Sequence, residues 1–169
     1  MKTMSKTIKI SAILLAVSLL LSVTSSFGES IPGKSKYSLG FQSSTETSGI
    51  SGKMDYTDKI ALQGSIGVFG NLTNYSGKGI YKFKSADYWD LYGFGQVGMW
   101  VWDGGTYYET QTQTSFGIGG GAGIEWDWRA LSKDLPPISW NCEIGFSTAS
   151  FDFYDYSPID FGIGGHYRF

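Results

Sequence analysis

Asp160-Phe161-Gly162-Ile163-Gly164-Gly165-His166-Tyr167-Arg168-Phe169 closes the sequence. Phe161, Ile163, Gly165, Tyr167 and Phe169 fall on one face, and Asp160, Gly162, Gly164, His166 and Arg168 on the other. Strict period-two alternation marks a strand with apolar surroundings on one side only. Working back from this strand, the same pattern recurs in residues 35–42, 49–56, 59–69, 76–84, 88–102, 115–128 and 138–147. Eight segments of this kind predict an all-β protein, an eight-stranded antiparallel up-and-down barrel.

The two faces differ in kind. One carries Trp89, Trp126, Trp128, Trp140, Phe116, Phe146, Phe161, Tyr167 and Phe169. The other is glycine-rich and small, with Gly117, Gly119, Gly121 and Gly123 on one segment, and carries Asp90, Tyr92, Phe94 and Gln96 on the preceding one. A soluble, lipocalin-like barrel would turn the apolar face inward. Eight strands enclose an interior only just wide enough for side chains, and that set of rings would overfill it. The apolar face is therefore expected to point outward into lipid, with tryptophans and Tyr167 forming a girdle near one end. Segment lengths suit tilted strands crossing a bilayer. Glycine, 24 of 169 residues, is about twice as frequent as usual, and prolines number only 4, which suits tightly packed sheet rather than a linker.

The opening residues read differently. Lys2, Lys6 and Lys9 precede an apolar run over residues 10–23, followed by small residues at Ser26 and Gly28. This is the pattern of a cleaved secretory signal peptide, residues 1–28, leaving a barrel domain over residues 29–169. The run is shorter than the roughly 20 residues of a spanning helix. Removing those three lysines leaves ten basic against fifteen acidic groups, a net charge of −5. A negative exported chain without a basic cluster is not expected to bind nucleic acid. One cysteine, Cys142, excludes an internal disulfide framework. No cofactor and no metal site are expected.

The aromatic ending, together with these eight segments, resembles the small eight-stranded outer-membrane β-barrels, the OmpX-like proteins and the transmembrane domain of OmpA. The resemblance implies a transmembrane barrel in the bacterial outer membrane, in contact with outer-membrane lipid and lipopolysaccharide, and monomeric. It implies that Tyr167 and Phe169 belong to an assembly signal read by the barrel-assembly machinery. Both ends would then be periplasmic, with outer loops at residues 43–48, 70–75, 103–114 and 148–158. The segment 129–137 is long for a periplasmic turn. With the chain ending at Phe169, peptidoglycan tethering of the OmpA kind is not expected.

The charged residues assigned inward by alternation crowd towards the periplasmic end: Lys36, Lys53, Lys82 and Lys84 from the first half, with Asp55 and Lys59, and Asp90, Glu125, Asp127, Glu143, His166 and Arg168 from the second; Lys78 is assigned to the outer half of the lumen. Buried ions are costly unless paired, so these opposite signs are expected to form a lumen network that plugs the barrel. Glu125 and Glu143 would lie within bonding reach of Arg168 or a lysine. Catalysis is not expected. His166 and Ser147 fall near opposite ends of neighbouring strands, too far apart for a triad. The lipid A deacylases, eight-stranded hydrolases, carry a His and a Ser two residues apart, whereas Arg168 follows His166 at that spacing. The glycine run 119–123 lacks the helix and Lys-Ser/Thr ending of a phosphate loop. Candidate surface contacts are Tyr107, Tyr108 and Glu109 in one outer loop and Phe151, Asp152, Phe153, Tyr154, Asp155 and Tyr156 in another. The expected function is an envelope-structural or surface-loop-presenting barrel; a narrow small-solute pore and a lipid-modifying enzyme are the alternatives.

Overall fold

A computed structural model describes residues 36–70, 72–103, 112–152 and 155–169. The signal-peptide expectation, Tyr107, Tyr108, Glu109, Phe153 and Tyr154 lie outside them. Eight strands run in sequence order: β1 (Tyr37–Ser43), β2 (Thr47–Asp55), β3 (Ile60–Gly70), β4 (Leu72–Ser85), β5 (Trp89–Asp103), β6 (Thr112–Asp127), β7 (Ile138–Ser147) and β8 (Ile159–Arg168). Each pairs antiparallel with its neighbour, and β8 returns to β1 from Ser38↔Arg168 to Ser43↔Ile163, closing the barrel. Closure removes every free ladder edge over the shared length of the strands.

The alternation read from the sequence sorts the side chains. Phe41, Leu62, Ile66, Val97, Phe116, Ile118, Ile144, Phe146, Phe161 and Tyr167 are exposed on the outside. Ser51, Lys53, Gln63, Tyr92, Glu125, Asn141 and His166 are buried inside. A continuous apolar exterior of this extent is foreign to soluble monomers. Trp89, Trp126 and Trp140 lie side by side across β5, β6 and β7, and Trp128 packs on Trp140 with ring centroids 5.5 Å apart. Ten residues of β6 separate Trp126 from Phe116. At ~3.3 Å per residue and ~40° tilt that is ~25 Å of height, the thickness of an outer-membrane apolar band.

Strand lengths are uneven. β4, β5 and β6 have 14, 15 and 16 residues, while β1 has 7. β4 begins at Leu72 rather than at residue 76, so the expected outer loop 70–75 is mostly strand, entered through Gly70 at φ +120°. The β4–β5 register shifts between Lys82 and Lys84. This bulge corrects the inward assignment of Lys84: it lies opposite Leu91 on the outer face, with its amine 5.3 Å from the Trp89 ring centre. An extra residue in one strand reverses the alternation beyond it, which periodicity alone does not reveal. Ile80 points inward, between Lys78 and Lys82, and packs on Ala61 and Tyr92.

Candidate functional site: the barrel interior

The interior is built by two structural choices. β5 sends Tyr92 and Phe94 across the lumen, and β6 offers glycine beneath them. A Cβ at Gly123 would stand 2.6 Å from the Tyr92 ring, and one at Gly121 would stand 2.8 Å from the Phe94 ring. The glycine-rich face is therefore a groove for aromatic side chains reaching from the neighbouring strand. Tyr92 is 1% exposed, and its phenol donates to Glu143 Oε1 at 2.8 Å.

Around Tyr92 the polar groups form two layers. In the lower one, Glu125 accepts from both Lys53 and Arg168, so β6 is tied to β2 and β8 across the lumen. Lys82 sits between Asp55 at 2.8 Å and Asp90 at 3.2 Å. In the upper layer Glu143 accepts from Lys78, from Tyr92 and from Gln42 Nε2 at 3.3 Å. The Asn141 amide donates to Gln42 Oε1 at 3.2 Å and to the Tyr92 phenol at 3.3 Å, and Gln63 donates to Ser51 at 2.7 Å. The buried charges in these layers are thus each held against an opposite charge, as a low-dielectric interior demands.

Several residues assigned to this network lie elsewhere. Lys36 is exposed just before β1; its carbonyl accepts from the Asp55 N–H at 2.8 Å. Lys84 is outside, as described above. Asp127 is buried but turned to a local partner, accepting from Arg129 Nη2 at 2.5 Å and capping the short 3-10 turn Trp128–Ala130. These hydrogen bonds to Asp127 hold the Arg129 guanidinium above its usual pKa. His166 is buried beside Ser139, which donates to its carbonyl at 3.5 Å; its Nε2 has no partner among the described residues. Lys78, expected in the outer half of the lumen, pairs with Glu143, and Tyr92, Gln42, Gln63 and Asn141 join the network although the sequence reading did not count them in it. The signal available for them was position on the inward face of a segment, which Tyr92 and Lys78 both had.

Above the Lys78–Glu143 pair lies a cavity of about 40 Å³, lined by Thr47, Ser65, Asn74, Ser76, Gln96 and Trp100 among others. It has room for roughly three waters. The outer mouth beside it is apolar. Leu72, Trp100 and Ala149 are buried together, with Trp102, Phe151 and Tyr156 against them. Tyr156 meets Trp100 at 6.3 Å and Phe151 at 6.1 Å between ring centres, and its hydroxyl bonds Ser147. Burial pushes the Tyr156 phenol up. Phe151 and Tyr156, expected as outward contacts, are thus turned into the mouth, because the segment after β7 folds back over it. Asp152 bonds Gln113 through both backbone and side chain, at 3.1 and 3.2 Å, and Asp155 is exposed.

Among the described residues, Ser147 and His166 do not come together. Ser139, not Ser147, is the register partner of His166. Ser147 lies eight residues further along β7, about 26 Å at the rise of a strand. Among the described residues no cluster of His, Cys, Asp and Glu is arranged to hold a metal ion. Cys142 is exposed on the outer face.

No family model matches the sequence, and no curated protein does either. Solved structures do. The N-terminal β-barrel domain of Pseudomonas aeruginosa OprF aligns over 81% of this chain and 100% of its own, with a TM-score of 0.62 at 13% identity. Two structures of Ail from Yersinia pestis align with TM-scores of 0.44. One, in phospholipid bilayer nanodiscs, is 14% identical over 80% of this chain. The other, in complex with the heparin analogue sucrose octasulfate, is 16% identical over 82% of this chain. Both cover 100% of the Ail chain. With its closed eight-strand antiparallel order and outward apolar face, the chain has the fold of an outer-membrane β-barrel domain.

Proposed function

We propose that this chain is a monomeric, non-enzymatic outer-membrane barrel with a plugged lumen, serving the envelope structurally and presenting its outer loops. The observation that carries the plug is the pair of cross-lumen ties, Lys53–Glu125–Arg168 and Lys78–Glu143, packed around Tyr92. The outward apolar band and its tryptophan row support residence in lipid. Residues 1–28 serve as the export signal. Tyr167 and Phe169, whose rings pack 5.9 Å apart at the end of β8, are read by the assembly machinery. Exposed Asp152 and Asp155 remain for surface contacts, including cations that bridge lipopolysaccharide. Single-channel recording in planar bilayers tests the plug: the folded protein is expected to give no steady conductance steps, and a stable open level would overturn it. Fractionation with heat-modifiable gel migration tests barrel and location together.

A further inference from the structure

Among the described residues, the strands turn two charged side chains to the outer face. Asp103 stands at the outer tip of β5; Lys84 stands at the opposite end, inside the tryptophan row. Its exposed neighbours are apolar: Phe83 is 64% and Leu91 42% exposed. No carboxylate among the described residues forms an ion pair with Lys84, and its ammonium lies over the Trp89 ring. The position is created by the bulge after Lys82, without which Lys84 would enter a lumen already holding Lys82, Lys53 and Arg168. Bulges are retained features that re-aim a side chain. A cation on an otherwise apolar exterior is disfavoured at mid-bilayer and tolerated at the interface, where an ammonium meets lipid phosphate.

We propose that Lys84 and Trp89 form a binding site for the headgroup of an anionic phospholipid in the inner leaflet. The Trp89 indole lies along the glycerol region, and the ammonium, held over its face, donates to the phosphate. The site rests on reading the tryptophan row as the periplasmic membrane interface.

The test refolds the mature barrel into nanodiscs of phosphatidylcholine containing a minor share of phosphatidylglycerol. Native mass spectrometry then reads the enrichment of phosphatidylglycerol among the lipids released with the protein. The wild type is expected to enrich it, Lys84→Gln to lower that enrichment about fivefold, the effect of one lysine at an anionic surface, and Lys84→Arg to keep it. Lys36→Gln, at an exposed lysine before β1, is expected to leave it unchanged. Equal enrichment in wild type and Lys84→Gln, with the heat-modifiable shift intact in both, overturns the site; so does an equal loss in Lys36→Gln. A wild-type chain that does not enter nanodiscs at all defeats the membrane reading itself, an outcome distinct from loss of lipid preference in an inserted barrel.

Discussion

Replacing Glu125 by alanine tests the lumen network most directly. Glu125 is 4% exposed and is the shared acceptor of Lys53 and Arg168, whose side chains are 4% and 10% exposed. Removing it leaves two cations facing each other with no counter-charge in a space too narrow for free hydration. Breaking one buried pair by deleting a partner costs about 3–5 kcal/mol, and Glu125→Ala is expected to reach at least the middle of that range. Glu125→Gln keeps an acceptor oxygen but loses the charge, so its cost should fall nearer the ~1.5–3 kcal/mol of a charged hydrogen bond. Lys53→Met placed in the Glu125→Ala background removes one orphan and should recover part of the loss. The double-mutant cycle then yields a coupling energy that neither single change reveals. The assay is reversible urea unfolding in lipid vesicles followed by tryptophan fluorescence, with gel migration as the second probe. Were Glu125→Ala to cost under about 1 kcal/mol, or Lys53→Met to add fully to it, the lumen would be wet and its charges independent. The plug would then be refuted.

Other expectations follow from individual contacts. Gly123→Leu would drive a side chain into the Tyr92 ring and should abolish the folded gel species, whereas Ala122→Leu, on the outer face, should preserve it. Tyr92→Ala leaves a void in the centre of the lumen and should cost ~3–5 kcal/mol in the same unfolding assay. The raised Tyr156 phenol stays protonated in the folded chain after it ionises in the unfolded one, so the stability it contributes is present below pH ~10 and declines as pH rises past it. Alkaline titration of wild type against Tyr156→Phe checks that sign. Deleting Phe169 should slow assembly in cells more than refolding in detergent, measured as the folded fraction with time.

Much of the barrel is legible because alternation runs through most of each strand. The expected segment 138–147 coincides with β7 (Ile138–Ser147). β4 was read short because Leu72 and Asn74, near the outer mouth, give no clean apolar–polar contrast, although both point inward. Alternation alone puts Lys84 inside, because the bulge that turns it outward leaves no mark on composition. The partners of Glu143 were harder still: Lys78 is 65 residues away in sequence and meets it only across the closed lumen, so pairing depends on ring closure and strand stagger. The inward turn of Phe151 and Tyr156 depends on where the returning segment finds an apolar mouth, which no local pattern encodes.

The closing pair of strands has a kinetic consequence. β5 and β6 are sequence neighbours joined from Trp89↔Trp126 to Asp103↔Thr112, whereas β1 and β8 meet only from Ser38↔Arg168 to Ser43↔Ile163. Joining the ends of the chain carries the largest loop-closure entropy and gains the shortest ladder for it. The β4–β6 hairpins are therefore the natural first structure to form, and the β1–β8 seam the last to zip and the first to open. Amide exchange should be fastest along Gly40 and Gly165, whose backbones approach so closely that a Cβ at Gly40 would overlap the Gly165 carbonyl. A side chain at Gly40 would leave the sheet formed and the cylinder open, a late-stage folding defect rather than a loss of strand structure.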